Sequence, residues 1–262
     1  MIFLEIFARA PGVNRRPNEW CTYMCPYEQP LAAPCTLGYT AVVIHVLNET
    51  GHPWVGTLLA RLRDRAAQQD RAQFRAALGE LGRIIGFEIG ATLPASTRPV
   101  FTPLGVAEER SFTTPPVLAT VLRAGLPFFE GIQTVLPHAD AMFFGAARQA
   151  DGELIRDGAL PIQCGYASWR PVAGRTLIWA DSMLATGSTL LHLQRELLAR
   201  SAPPARVIVA GVIAYRPTLA KLAQELNAEV WCAAADDTLN EHGYIVPGLG
   251  DAGDLAYGAR EG

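Results

Sequence analysis

The stretch that decides the fold is TLIWADSMLATGST, residues 176–189. Its first five residues form an almost wholly apolar run, which is typical of a strand buried on both faces of a parallel sheet. Asp181 follows this run, and a short loop leads through Thr186 and Gly187 to an amphipathic segment over residues 189–200. A strand, a loop and a helix in this order predict one half of a βαβ unit.

Similar apolar runs recur along the chain and alternate with amphipathic segments. These runs are VLATVL (117–122), AMFFGA (141–146), RVIVAGVI (206–213) and EVWCAAA (229–235). Strands that are apolar throughout belong to a parallel sheet covered on both sides. The alternation therefore predicts a doubly wound α/β fold, with a mostly parallel sheet and helices on both faces.

The pattern divides the chain into two parts. Residues 1–40 are rich in proline, cysteine and aromatic residues without a clear period, so we expect an irregular N-terminal extension that is too short for its own core. Residues 41–262 form the predicted α/β domain. It begins with a short strand through Val46 and a helix near Pro53. In the next helix, the apolar residues share one face: Phe74, Leu78, Leu81, Ile84 and Ile85.

Composition narrows the class of protein. Half of the residues are hydrophobic and 18% are charged, which excludes a disordered chain. The net charge is −3 and no basic run is present, so we expect no nucleic-acid partner. The longest apolar runs, such as residues 206–214, stop at about nine residues, far short of a membrane helix. The N-terminus has no basic region ahead of its apolar residues, so we expect a cytoplasmic protein without membrane association.

The cysteines and histidines do not follow the spacing of a metal site. The five cysteines include no CxxC pair, and we expect free thiols in a reducing compartment. His45 lies within a strand-like run and His192 on an amphipathic helix, so we expect both to be packing residues. The sequence predicts no metal ion bound by protein ligands alone.

Residues 186–189, Thr-Gly-Ser-Thr, are candidate phosphate-binding residues. The unpaired amides and the positive dipole end of the following helix favour an anion, and Thr186, Ser188 and Thr189 add hydroxyl donors. Asp181, at the strand end, is placed to accept hydrogen bonds from the vicinal hydroxyls of a sugar. A sugar beside a phosphate indicates a ribose 5-phosphate. The same pattern also fits an ordinary helix cap after a strand-terminal aspartate.

Several segments resemble the uracil phosphoribosyltransferases. Residues 181–189, DSMLATGST, are similar to the family's phosphoribosyl pyrophosphate (PRPP) loop, which reads DPMLATGGS. Residues 239–254, LNEHGYIVPGLGDAGD, resemble the family's uracil-binding segment at nearly every position. Residues 121–132, VLRAGLPFFEGI, resemble its pyrophosphate-binding turn, and residues 52–64, HPWVGTLLARLRD, its N-terminal arm. The resemblance runs from about residue 42 to residue 258.

The resemblance implies a set of site residues. PRPP would be bound by residues that follow four of the apolar runs: Arg123, Arg148, Asp181, Ser182, Met183, Leu184, Ala185, Thr186, Gly187, Ser188, Thr189 and Asp251. Uracil would be recognised, mainly by backbone amides and carbonyls, at Ile245, Gly250, Asp251 and Ala252. Asp251 and Arg123 are the implied catalytic residues. Arg123 follows an apolar run and precedes two small residues, so its planar fork could reach a pyrophosphate, although a surface salt bridge fits the same position.

The resemblance also implies the reaction. The 5-phosphoribosyl group would pass from PRPP to N1 of uracil, giving UMP and pyrophosphate in pyrimidine salvage. A magnesium ion would arrive on the diphosphate of PRPP, and the enzyme would be a homodimer or a larger homo-oligomer.

Two departures from the family leave alternatives open. The proline of the PRPP loop is replaced by Ser182, and the acidic residues that follow the family's arginine are replaced after Arg148 by Gln149, Ala150 and Asp151, within a longer flap. These differences favour, as an alternative, an enzyme that uses PRPP with another nitrogen heterocycle. A non-catalytic nucleotide-binding homologue is a third hypothesis.

Overall fold

The structure, a computed structural model, describes residues 42–148 and 162–259. Within these residues, seven strands form one sheet and four more form two small hairpins. The strands are β1 (Ile44–Val46), β2 (Ala95–Thr102), β3 (Gly105–Phe112), β4 (Val117–Val121), β5 (Asp140–Arg148), β6 (Ile162–Ala167), β7 (Thr176–Leu184), β8 (Arg206–Tyr215), β9 (Ala228–Asp236), β10 (Thr238–Leu239) and β11 (Ile245–Val246).

The helices cover both faces of the central sheet. They are α1 (Pro53–Arg63), α2 (Arg71–Thr92), α3 (Leu126–Val135), α4 (Ser188–Leu198), α5 (Arg216–Glu225) and α6 (Ala252–Tyr257). Buried residues of α1, α2, α3 and α6 belong to the core on one face, and those of α4 and α5 to the core on the other. The predicted doubly wound α/β fold is therefore confirmed. In the described part of the chain, no helix combines the length and the apolar character needed to cross a membrane.

The order of strands in the sheet predicts where a ligand-binding crevice lies. The order is β1-β9-β8-β7-β4-β5-β6, and all neighbours are parallel except β5 and β6. From β4 the chain moves to β5 on one side, and from β7 it moves to β8 on the other side. The direction of winding thus reverses between β4 and β7. Ligands of doubly wound folds bind at such a reversal, beyond the carboxyl ends of the strands.

Strand β7 is longer than the sequence pattern predicts. We expected the strand to end at Asp181 and a loop to follow, but β7 continues to Leu184. The reason is its neighbour β8, whose ten residues offer backbone partners beyond that point: Asp181 pairs with Gly211, and Leu184 pairs with Ala214. Only residues 185–187 form the connection to α4.

Helix α2 has the predicted apolar face. Phe74, Leu78, Leu81 and Ile85 are buried, and Ile84 packs against the same core while partly exposed. This face packs closely on α3 as well as on the sheet. A Cβ at Gly131 of α3 would lie 2.0 Å from the carbonyl oxygen of Gly79, so the two helix backbones are in contact.

The hairpin of β2 and β3 was not predicted. It pairs from Ala95 with Phe112 to Thr102 with Gly105, and its residues are partly or fully exposed. The sequence over these strands mixes proline and charged residues with apolar ones. Because the hairpin buries no face in the core, it lacks the apolar alternation by which a strand is recognised.

A charged cluster joins β1, β8 and β9 at the edge of the sheet opposite to their carboxyl ends. Glu229 accepts hydrogen bonds from Arg206 and from Trp231 Nε1 at 2.9 Å, and its Oε1 lies 3.1 Å from His45 Nε2. The His45 ring stacks on the Trp231 ring with 3.7 Å between centroids, so His45 has the structural role expected of it. Although burial opposes ionisation, these hydrogen bonds and the Arg206 charge lower the Glu229 pKa from 4.5 to about 2.

We expect acid to weaken the fold through Glu229. A carboxyl whose pKa is lower in the folded state stabilises the protein above its unfolded pKa, and this stabilisation is lost as the pH falls toward the folded value. Between about pH 5 and pH 2, the free energy of unfolding should therefore fall more steeply for the wild type than for Glu229→Gln. Urea titrations at several pH values measure this. Glu225→Gln is the control, because Glu225 makes only a long, exposed contact with Arg195. Parallel pH profiles for the wild type and Glu229→Gln would contradict the assignment.

Candidate active site

The loop between β7 and α4 has the form of an anion site. The Oγ atoms of Thr186 and Ser188 are 2.9 Å apart, and the Ser188 amide points to Thr186 Oγ1 at 3.4 Å. Helix α4 begins at Ser188, so its first amides and the positive end of its dipole face this loop. Thr189 is the second residue of the helix. The loop therefore offers backbone and hydroxyl donors to a phosphate.

Gly187 cannot be replaced by a larger residue without strain. Its φ is +71°, and a Cβ at this position would lie 2.9 Å from Leu222 Cδ2 and 3.1 Å from Thr218 Cγ2 on α5. Ser188, where the resembling loop has a second glycine, is helical and has no positive φ. The departure from the family at position 188 is thus compatible with the backbone.

Two further contacts define how the loop is held. The Thr218 hydroxyl donates to the carbonyl of Ala185 at 2.5 Å, which ties the loop to α5. Sequence reasoning missed Thr218, because the contact is formed only when α5 packs beside α4. Leu184 is buried in the core on one face of the sheet, and Met183 is partly buried and packs against the core on the other face. Leu184 can therefore offer only backbone groups to a ligand.

Asp181 and Ser182 lie in the strand rather than in the loop. Asp181 is partly buried near the carboxyl end of β7. Ser182 has no exposed surface. The replacement of the family's proline at position 182 therefore changes a buried site and not the surface that a substrate would contact.

Arg123 connects the end of β4 to the C-terminal segment. Its Nη2 donates to Asp254 Oδ1 at 2.8 Å, and its Nη1 donates to the carbonyl of Gly258 at 3.0 Å. A Cβ at Gly253 would lie 3.2 Å from Asp251 Oδ1 and 3.8 Å from Arg123 Nη2. The predicted residues Arg123 and Asp251 are therefore brought together. Asp254, which the sequence analysis did not single out, is the direct partner of the arginine.

The C-terminal segment is a short hairpin followed by a one-turn helix. Strand β11 pairs antiparallel with β10, and Ile245 is buried opposite Leu239. Asp251 caps α6 by accepting from the Asp254 amide at 2.9 Å, and the Tyr244 hydroxyl donates to its other oxygen at 3.4 Å. Gly250 has a φ of +94°, and Ala252 is buried at the start of α6. Asp251 is exposed, so it can face a substrate.

The turn after β4 also contacts β7. A Cβ at Gly125 would lie 3.1 Å from the carbonyl oxygen of Ala180, directly before Asp181. Since the loop containing Thr186 follows β7, the three predicted segments occupy neighbouring positions along one edge of the sheet. The turn after β4 thus contacts both β7 and the C-terminal segment at the reversal between β4 and β7.

The remaining predicted site residues lie at the end of β5 or outside the described residues. Arg148 is the last residue of β5, next to β4 in the sheet, and its side chain lies outside the described residues. Gln149, Ala150 and Asp151 also lie outside them. At the far end of the predicted flap, the Trp169 ring packs on Phe144 with 4.8 Å between centroids, so Trp169 has a structural role.

The acidic groups of this crevice do not form a metal cage. Across residues 42–148 and 162–259, no cluster of three or more His, Cys, Asp or Glu side chains has the arrangement of a metal site. Asp251 and Asp254 offer two carboxylates beside Arg123. A hard cation here would take most of its oxygen ligands from a bound substrate and water, as magnesium commonly does with phosphates. Asp251 and Asp254 therefore provide carboxylate oxygens, which are ligands of the kind that a magnesium ion takes.

Comparison with known proteins identifies the family. The family model for uracil phosphoribosyltransferase matches residues 49–259. The uracil phosphoribosyltransferase of Porphyromonas gingivalis is 36% identical over 220 residues, which cover 83% of this chain and 99% of that protein. The Pyrococcus furiosus enzyme of the same name is 36% identical over 214 residues, which cover 79% and 87%.

A solved structure is also similar over most of its length. The AQ2163 protein from Aquifex aeolicus has a TM-score of 0.71 and 29% identity, with 82% of this chain and 98% of that chain covered. The resemblance found in the sequence is confirmed by these matches. The chain belongs to the uracil phosphoribosyltransferase family.

Proposed function

We propose that this protein transfers the 5-phosphoribosyl group from PRPP to N1 of uracil and releases UMP and pyrophosphate, a reaction of pyrimidine salvage. One observation carries the proposal. Arg123, Asp251 and Asp254 lie together beside the crevice where the sheet winding reverses, and the family match spans all three segments that line it.

The loop after β7 would bind the sugar phosphate. The amides at the start of α4 and the hydroxyls of Thr186, Ser188 and Thr189 hold the 5-phosphate of PRPP. Asp181 accepts hydrogen bonds from the ribose hydroxyls. These contacts place the anomeric carbon of the sugar toward the turn after β4, in front of the base-binding segment.

Arg123 would bind the diphosphate of PRPP. Its guanidinium already engages a carboxylate, Asp254, and a backbone carbonyl, so PRPP binding exchanges these acceptors for phosphate oxygens. Arg148, at the end of the neighbouring strand β5, is proposed as a second cation for the same group. A magnesium ion on the diphosphate, with Asp251 as a protein ligand, would offset the negative charge that develops on the leaving group.

The C-terminal segment would hold the base. The backbone groups of Ile245, Gly250 and Ala252 are proposed to read the hydrogen-bonding edge of uracil, and Asp251 lies between the base and the diphosphate. The new bond forms from uracil N1 to the anomeric carbon as the carbon–oxygen bond to pyrophosphate breaks, and the N1 proton leaves to solvent or to pyrophosphate. The protein acts by position and charge, because the difficulty lies in a cationic sugar and a departing polyanion.

Location and assembly stay predictions from the sequence. A cytoplasmic location agrees with the free thiols of Cys164 and Cys232. A homodimer or larger homo-oligomer follows only from the family resemblance.

Uracil should be the preferred acceptor. We expect kcat/KM for uracil to exceed that for cytosine, hypoxanthine and other heterocycles by about 100-fold or more, because a site that pairs the polar edge of one base leaves those groups unpaired with another. Steady-state pyrophosphate release with a panel of bases measures this. A higher value for another heterocycle would favour the alternative acceptor. PRPP binding in calorimetry without turnover of any base would favour the non-catalytic homologue.

Asp251→Asn should lower kcat by about tenfold or more, equivalent to roughly 1.4 kcal/mol of transition-state stabilisation. Asparagine still caps a helix, so α6 should persist while the charge that faces the magnesium ion is lost. Glu241→Gln is the matched control, because Glu241 lies in the same segment and its side chain is 85% exposed. Turnover within about threefold of the wild type for Asp251→Asn would remove the assigned role.

Gly187→Ala should weaken PRPP binding by about tenfold or more, because both the positive φ and the contact with Leu222 force the loop to move. Gly174→Ala provides a matched control. Gly174 has a φ of +70°, nearly the same as Gly187, but a Cβ there meets nothing within 4 Å. The two variants therefore share the backbone strain, and only Gly187→Ala should alter the dissociation constant measured by calorimetry. Equal PRPP affinity for both variants would contradict the phosphate-loop assignment.

A further inference from the structure

Both backbone polar groups of Gly248 are bound by one ion pair. The Gly248 amide donates to Asp236 Oδ2 at 3.0 Å, and its carbonyl accepts from Arg63 Nη1 at 3.3 Å. Arg63 and Asp236 also bind each other through two hydrogen bonds, both of 2.9 Å. The three residues form a closed ring of hydrogen bonds, which we call the Gly248 clamp.

The clamp draws on two separate parts of the fold. Arg63 is the last residue of α1, and Asp236 is the last residue of β9. The Asp236 side chain is 10% exposed and that of Arg63 is 25% exposed. A bidentate contact between an arginine and a carboxylate fixes direction as well as distance. Because α1 and β9 are anchored in the core, the clamp transmits their position to the loop.

Gly248 cannot be replaced by a larger residue without strain. Gly248 has a φ of +50°, and a Cβ there would lie 2.0 Å from the carbonyl oxygen of Ile245. The turn from Ile245 to Gly248 is therefore tight and leaves no room for a side chain at position 248. Gln68 extends the support, since its Nε2 donates to the carbonyl of Leu249 at 2.8 Å and to that of Leu62 at 2.7 Å.

The held residues lie between the backbone groups proposed to read uracil. Gly248 and Leu249 are two of the four residues between Ile245 and Gly250. The side chains of Ile245 and Leu249 are buried in the core, but Gly248 has no side chain to anchor it, so hydrogen bonds to its backbone fix its position. Backbone groups that recognise a base must be held within a fraction of an ångström to be effective.

We propose that Arg63 and Asp236 are positioning residues for the base, which act through Gly248 without touching the substrate. This rests on the proposed function, because it takes residues 245–252 as the acceptor site. Loss of either partner leaves the other charge partly buried and unpaired, and releases one of the two backbone groups of Gly248. The affinity for uracil should then fall, while the PRPP loop after β7 stays in place.

The test compares Asp236→Asn with the wild-type full chain. We expect the KM for uracil to rise by about tenfold or more and the dissociation constant for PRPP to stay within about twofold. Arg63→Lys keeps the positive charge but cannot form the two-bond fork, so its uracil KM should lie between those two values. Hydrogen exchange at residues 248–250 should be faster in both variants.

Asp237→Asn is the matched control. Asp237 is the next residue in the chain and also pairs with an arginine, Arg216, at 2.7 Å, but its side chain is 76% exposed. It makes no contact with Gly248 in the described structure. This variant should leave the uracil KM, the PRPP affinity and the exchange rates unchanged.

Several outcomes would overturn the positioning role. It fails if folded Asp236→Asn keeps a uracil KM within about twofold of the wild type, or if the PRPP affinity falls as much as the uracil affinity. If Asp236→Asn does not fold, Arg63→Lys decides in the same way, and unfolding of both variants would mean that the pair serves stability instead. A wild type that does not use uracil would refute the proposed function, and the exchange experiment would still test the clamp.

Discussion

The placement of β4 beside β7 is the constraint on which the site depends. The two strands are separated in the chain by α3, β5, β6 and the segment between the latter two, yet they pair directly in the sheet. The two strands are parallel and largely buried, so their carboxyl ends lie at the same edge of the sheet. A turn that carries Arg123 and a loop that carries Thr186 therefore flank the same crevice, and α3 and α4 leave on opposite faces.

The second requirement is that the C-terminal segment returns to this edge and stays there. Ile245, Leu249 and Ala252 anchor the segment in the core. Two ion pairs add directional contacts. Arg123 binds Asp254 at one end, and the pair of Arg63 and Asp236 binds Gly248 near the other. Packing and charged hydrogen bonds thus act together on this segment.

The two arginines differ in how free they are to respond to a substrate. The Arg63 guanidinium donates to the Asp236 carboxylate at the end of β9 and to the carbonyl of the buried Gly248. This arrangement suits a fixed support. The Arg123 fork binds Asp254, whose side chain is 41% exposed, so solvent and anions can compete for it. This contrast supports the two proposed roles, in which Arg63 positions the base and Arg123 exchanges partners when a polyanion binds.

The sequence alone was enough to predict the class of fold and the family, and it supplied the candidate site residues. Apolar runs such as VLATVL and RVIVAGVI form buried parallel strands, because helices on both faces of a parallel sheet cover both sides of such a strand. The loop around Gly187 could be recognised because hydroxyl residues, a glycine and a helix start are local features. The end of β7 was misplaced at Asp181, because only the partner strand β8 extends it to Leu184.

What only the tertiary structure decided are the contacts between distant segments. No residue near Arg63 or Asp236 in the sequence indicates that the two side chains pair, and 173 positions separate them. Asp254 as the partner of Arg123 and Thr218 as the support of Ala185 are likewise products of packing. The physical reason is the distance along the chain over which each feature is determined. A strand or a helix start is determined by residues a few positions apart, whereas a hydrogen bond across the sheet edge exists only after every element between has been placed.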